Sequence, residues 1–168
     1  MIHVTPLSQL AATLEATNAT HLISLLSLEA EPPRPAHLDP SCCLHIAMHD
    51  IVEEMPGLVA PSRAHVETLL DFAHSWDRTA PMVVHCHAGI SRSTAAAYSI
   101  AAALQPDHDE MELARELRRR APSATPNIRI VSFADQILGR RGRMVEAIRA
   151  IGRGAEAYEG TPFLLDIR

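Results

Sequence analysis

The chain has 168 residues, 47% hydrophobic and 21% charged, with a formal net charge of −5 and mean hydropathy of +0.01. No apolar run approaches the roughly 20 residues of a membrane span, and the N-terminus lacks a basic region followed by an apolar stretch. With 4% aromatics and a negative balance, nucleic-acid binding is not expected; the composition fits one core, a single domain over 1–168, in a cytoplasmic protein without a membrane partner.

In chain order, Ile2 to Thr5 reads as a short strand, and Thr5-Pro6 opens a helix with Leu7, Leu10, Ala11 and Leu14 on one face. His21 to Ser27 is the next strand. Pro32-Pro33-Arg34-Pro35 is a connector, and the alternating run from Ser41 to His49 is a third strand. Ser62 to Trp76 carries Val66, Leu69, Leu70 and Ala73 at helical spacing. Val83 to Cys86 closes the set of strands, and the Ala-rich stretch from Ser93 to Leu104 is a helix. The rest reads as wholly helical. Asp107 and Glu110 have capping-box spacing before Met111, Ala114 and Leu117. Thr125-Pro126 starts a helix bearing Ile130, Ala134 and Ile137 that Gly139 ends, and a last helix runs from about Arg141 to Ile151. Alternating strands and helices followed by a helical run predict an α/β fold: a central, mostly parallel sheet of about four or five strands flanked by helices. Such sheets hold ligands at the carboxyl ends of their strands.

One stretch carries chemistry. In Val83-Val84-His85-Cys86-His87-Ala88-Gly89-Ile90-Ser91-Arg92-Ser93-Thr94, five residues separate a Cys from an Arg between a strand and a helix. A loop of that length can turn its N–H groups inward at the helix mouth, where an anion is favoured. The same field favours a sulfur anion at Cys86, hence a nucleophile. Arg92 offers a planar fork for two non-bridging phosphate oxygens, a geometry that Lys lacks. Gly89 suits a turn of positive φ or close ligand approach, and Ser93 can donate to the sulfur. His87, Ala88, Gly89, Ile90 and Ser91 would line the phosphate.

These residues resemble the signature of the Cys-based protein tyrosine phosphatase superfamily, His-Cys, five residues, then Arg and Ser or Thr. The spelling Ala88-Gly89-Ile90-Ser91-Arg92-Ser93 is most similar to the dual-specificity branch. The resemblance implies a phosphatase working without metal or cofactor: Cys86 as nucleophile, Arg92 as phosphate clamp, His85 setting the loop and tuning the thiol, and Ser93 assisting breakdown of a phosphocysteine. It also implies a general acid on a mobile loop after the strand preceding the signature strand. Asp50, opening the polar segment to Pro56-Gly57, fits that place, with Glu53 and Glu54 as alternatives in the same segment. Pro126-Asn127 echoes a Pro-Asn pair of the branch. Its downstream Phe and Gln-Leu are missing, with Ile130, Phe133 and Ala134 standing there instead.

The implied substrate is protein phosphotyrosine, with phosphoserine and phosphothreonine alongside; a soluble phosphometabolite or inositol phosphate is the alternative. A rhodanese-like sulfurtransferase also uses a Cys at the head of an anion loop, but its loop is shorter and lacks Arg-Ser. A phosphate-binding module without turnover is a third reading, against which the intact Cys86 and Arg92 speak. The signature lies mid-chain, unlike that of low-molecular-weight phosphatases. Its variable positions, His87 and Ile90, are not the basic ones of lipid-directed enzymes.

All fifteen basic residues are Arg. Residues 1–84 hold ten acids and three Arg, net −7, and residues 85–168 ten acids and twelve Arg, net +2. Arg118-Arg119-Arg120 and Arg140-Arg141-Gly142-Arg143 are therefore candidates for drawing in an anionic substrate, the first triplet equally for a helix C-terminus. Cys42 or Cys43 could trap an oxidised Cys86 as a disulfide, or simply fill the core. His45 and His49 would share a strand face, conceivably with zinc, although packed histidines are commoner. The oligomeric state stays open, a monomer being compatible with the sequence.

Overall fold

The computed structural model describes residues 1–167. Five strands, β1 (Ile2–Pro6), β2 (His21–Leu26), β3 (Cys43–Ala47), β4 (Met82–Cys86) and β5 (Phe163–Leu165), form one sheet in the order β3-β2-β4-β1-β5. The first four run parallel, so their carboxyl ends share one edge; β5 is antiparallel to β1. In β2 and β4, successive side chains go to opposite faces, as the pleat requires. Leu22 and Val83 enter a small cluster with Leu10 and Leu14 of α1 (Leu10–Thr17), while Ile23, Leu25 and Val84 enter the main core.

Helices α2 (Arg63–Ser75), α3 (Arg92–Leu104), α4 (Glu110–Arg120), α5 (Ile128–Ile137) and α6 (Arg143–Ala150) gather around that main core. The helix α3 is buried from Arg92 to Ala102. Its alanines let neighbours approach on every side, which is why the stretch reads as apolar all round rather than amphipathic. Burying both faces likewise makes the parallel strands nearly continuous apolar runs.

Five expectations are corrected. The C-terminal part is not wholly helical: β5 pairs Leu165 with Ile2 and Phe163 with Val4. Three residues carry no period of their own, and this strand exists because the edge of β1 offers unpaired backbone groups. The cap of α4 is Asp109, accepting from the N–H groups of Met111 and Glu112, and not Asp107. Glu110 is instead buried against Arg140 and Arg143, 3.0 Å from each. Helix α5 begins one residue after Asn127, whose Oδ1 accepts from Arg129 and Ile130, so Thr125-Pro126 lies outside it. A 3-10 turn, Leu7–Gln9, precedes α1 with no side-chain cap. His49 falls beyond β3, leaving no shared strand face with His45. Among the described residues no three His, Cys, Asp or Glu side chains come together as a metal site would need.

Candidate active site

The segment His87–Ser91 leaves the carboxyl end of β4 and curls into the first turn of α3. Its carbonyls are held from outside: His87 O accepts from Leu7 N–H at 3.0 Å, Ala88 O from Gly160 N–H at 2.8 Å, Ile90 O from Thr125 N–H at 2.9 Å, and Ser91 O from Asn127 N–H at 3.2 Å. Among the described residues no peptide bond is cis. In a trans peptide the N–H points opposite to the C=O, so pinning these carbonyls outward turns the following N–H groups into the loop. Gly89 N–H proves the direction, donating to Cys86 Sγ at 3.2 Å. At Gly89 φ is +69°, and a Cβ would stand 2.7 Å from Pro6 N. Only glycine fits both constraints.

Cys86 is 2% exposed and lies at the floor of this cradle. Ser93 Oγ is 3.1 Å from its sulfur. Arg92, 6% exposed, spends Nη1 on Met48 O at 2.7 Å and Ser27 Oγ at 3.3 Å, and its Nε is buried with no partner. Neither partner of Nη1 carries charge. Leaving a buried donor unmet costs about 1–3 kcal/mol, and such a donor beside a ring of inward N–H groups fits an oxyanion.

His85 sits on the opposite face of β4. Its Nδ1 faces the carbonyl of Cys86 at 3.4 Å and so carries the proton, and Nε2 accepts from Ser24 Oγ at 2.7 Å. Burial pushes its pKa down to about 4, against the hydrogen bond to the Cys86 carbonyl. The ring is therefore a neutral strut between β2 and β4, directing no nitrogen at the sulfur. Below pH 6.5 the unfolded chain binds a proton at this ring that the folded chain refuses until about pH 4. Acidification across that window removes about 3 kcal/mol of stability through this group, and above it the effect vanishes. Denaturant melts of His85→Asn from pH 7 to 4 should show a shallower decline than wild type; an identical decline would refute this account.

Asp50 is the third residue of the loop after β3 and is exposed. Its Oδ1 accepts from Ser91 Oγ at 2.7 Å and Asn127 Nδ2 at 2.8 Å, which brings the carboxylate to the mouth of the loop. Glu54 is held away, 3.2 Å from Arg129, and Glu53 is exposed. Asn127 also donates to Ile51 O while capping α5. Its place at the site was missed at the level of sequence, although the Pro126-Asn127 echo pointed to it. Also missed were Ser24, the Met48 carbonyl and the C-terminal segment through Gly160.

Most arginines of the two basic clusters are engaged within the fold, and Arg141 is exposed. Arg118 donates to the carbonyls of Pro122, Ala124 and Gly152, while Arg119 and Arg120 bind Glu116. Arg140 and Arg143 bind the buried Glu110. These cations are spent on helix ends and ion pairs. The disulfide reading also fails in this fold. Cys43 pairs with Leu22, level with Val83, three residues before Cys86. Two strand spacings and three rises separate the sulfurs' backbones by about 14 Å, twice the roughly 7 Å limit for a bridge. Burial also pushes the Cys43 thiol pKa up, so it stays protonated.

No family model and no curated protein sequence matches the chain. Solved structures do. The crystal structure of DUSP15 superposes with a TM-score of 0.62 at 19% identity, covering 93% of this chain and 94% of that one. Human DUSP28 gives 0.56 at 19%, covering 90% and 95%, and Tk-PTP in its active form 0.56 at 17%, covering 83% and 90%. The chain has the fold of the dual-specificity and tyrosine phosphatases.

Proposed function

We propose that the protein is a Cys-dependent phosphatase that hydrolyses phosphomonoesters through a phosphocysteine, with protein phosphotyrosine as its first substrate class. The observation that carries this reading is the loop with four of its five carbonyls, those of His87, Ala88, Ile90 and Ser91, engaged outside it and the Gly89 N–H turned in to Cys86 Sγ. The fold shared with known phosphatases supports it further.

In this mechanism the loop N–H groups and Arg92 Nε hold the three non-bridging oxygens and stabilise the charge spread over them as the bond to the leaving oxygen loosens. Cys86 Sγ attacks in line, forming S–P as P–O breaks. Asp50 gives its proton to the departing oxygen. Two donors occupy Oδ1, so Oδ2 is the atom that carries the proton. In the second half Asp50 takes a proton from water, the water oxygen attacks phosphorus, and S–P breaks with the electron pair returning to sulfur, where Ser93 Oγ–H stabilises it. Among the described residues no helix is long and apolar enough to cross a membrane.

The test is hydrolysis of an aryl phosphate and a panel of phosphopeptides and phosphometabolites, with rapid-quench mass spectrometry for a phosphate on Cys86. Thiosulfate turnover without phosphate release would replace the reading by a sulfurtransferase. Asp50→Ala should depend on the leaving group: a loss of about tenfold for a nitrophenol, and of about 10²- to 10⁴-fold for an alkyl phosphate, the size of a general-acid contribution. A uniform loss across leaving groups would remove Asp50 from the acid role.

A further inference from the structure

We propose that Gly160, more than seventy residues beyond Ala88, is a positioning residue of the phosphate loop, and that the segment after α6 is a strap holding the loop in its oxyanion-binding form. The inference rests on the loop being an oxyanion site, as under the proposed function.

After Gly152 the chain does not continue as a helix. It is tied down in succession: Gly154 N–H donates to Thr125 Oγ1 at 3.1 Å, Ala155 N–H to Pro122 O at 2.9 Å, Ser8 Oγ to Glu159 at 2.8 Å, and Gly160 N–H to Ala88 O at 2.8 Å. Pairing of β5 on β1 fixes the far end. The Gly160 contact differs from the others in what it holds. Ala88 O and Gly89 N–H belong to one peptide unit, and that N–H is the one donated to Cys86 Sγ. One rigid plane is thus gripped from outside by Gly160 and aimed inward at the sulfur.

Were the grip lost, the plane could rotate and turn its carbonyl toward the anion site, replacing an attractive dipole by a repulsive one. The approach also demands glycine. A Cβ at Gly160 would stand 2.7 Å from Gly89 O and 3.3 Å from Gly89 C, both backbone atoms of the loop itself. Gly160→Ala must displace either the strap or the loop.

Removing one preorganised oxyanion donor typically costs about 10²- to 10³-fold in kcat. Gly160→Ala is therefore expected to lower kcat on an aryl phosphate by about tenfold to 10²-fold and to weaken binding of tungstate, a non-covalent oxyanion probe, by at least about tenfold. Both are measured well below the Tm of the variant. A merely structural glycine would lower Tm while leaving tungstate affinity at wild-type level, and that result overturns the proposal. Because Gly160→Ala can fail to fold, amide hydrogen exchange in the wild-type protein is the second measurement. Gly160 N–H should be protected and should slow further with tungstate; exchange as fast as at Tyr158, unchanged by tungstate, overturns the proposal as well. Tungstate binding without phosphate release would dismiss the hydrolytic reading alone, because the binding and exchange arms still decide the role of Gly160. A wild-type protein that binds no tungstate dismisses both.

Discussion

Cys86→Ser should lose turnover of an aryl phosphate by roughly 10⁴-fold or more, the scale on which removal of an activated nucleophile acts, while tungstate affinity stays near wild type. Gly89 N–H and Ser93 Oγ are donors suited to an anion, and no group placed to remove a proton faces the sulfur. The imidazole of the preceding residue, His85, is committed to Ser24 and to the Cys86 carbonyl. Sulfur is an intrinsically strong nucleophile, whereas a serine hydroxyl without a base is a weak one. The cradle meanwhile loses no N–H, and the smaller hydroxyl keeps the same two donors. Steady-state assays with isothermal titration of tungstate separate the two effects. Residual activity within tenfold of wild type would mean that another nucleophile operates. Loss of tungstate binding with the fold intact would mean that the sulfur shapes the cradle rather than attacks from it.

Much of this site is local in the chain, and that is why it was legible. Strand, loop and helix occupy one run from Val83 to Leu104, so the burial of β4, the positive φ of Gly89 and the Ser93 contact to sulfur all follow from neighbours in sequence. Asp50 was reachable through the end of the alternating strand before it. What stayed hidden depends on distant partners. Nothing in Phe163-Leu164-Leu165 announces a strand until the edge of β1 is present, and nothing in Gly160 announces contact with Ala88. The arginine clusters illustrate the same dependence on distant partners. Their charge is visible in sequence, but Glu110 and the carbonyls of Pro122, Ala124 and Gly152 that absorb it come from elsewhere in the fold. Capping failed where two carboxylates competed: Asp109 took the helix end because Glu110 was drawn into the arginine pair. Spacing rules see the candidates, and tertiary partners choose among them.

Arg92→Lys, although it keeps the charge, should lower kcat/KM by roughly 10³-fold, at the lower end of what a transition-state arginine contributes. Arg92 has two tasks on different nitrogens. Nη1 ties the side chain to Met48 O and Ser27, and Nε is buried without a partner, the donor that the proposed mechanism gives to an oxyanion. A lysine ammonium is one point. If it bonds Met48 O it no longer presents a second, coplanar donor to phosphate, and if it turns to phosphate the Met48 carbonyl is left unmet. The second case has a further consequence, since Met48 is two residues before Asp50 and its tether fixes where the acid loop leaves β3. The lysine variant should therefore lose more on alkyl than on aryl phosphates, as Asp50→Ala does. In the double variant Arg92→Lys/Asp50→Ala the losses should fall short of additive. Full additivity, together with a loss independent of leaving group, would mean that the guanidinium binds phosphate without organising the acid. Activity of Arg92→Lys within tenfold of wild type would show that charge alone suffices and that the fork geometry has no part in the reaction.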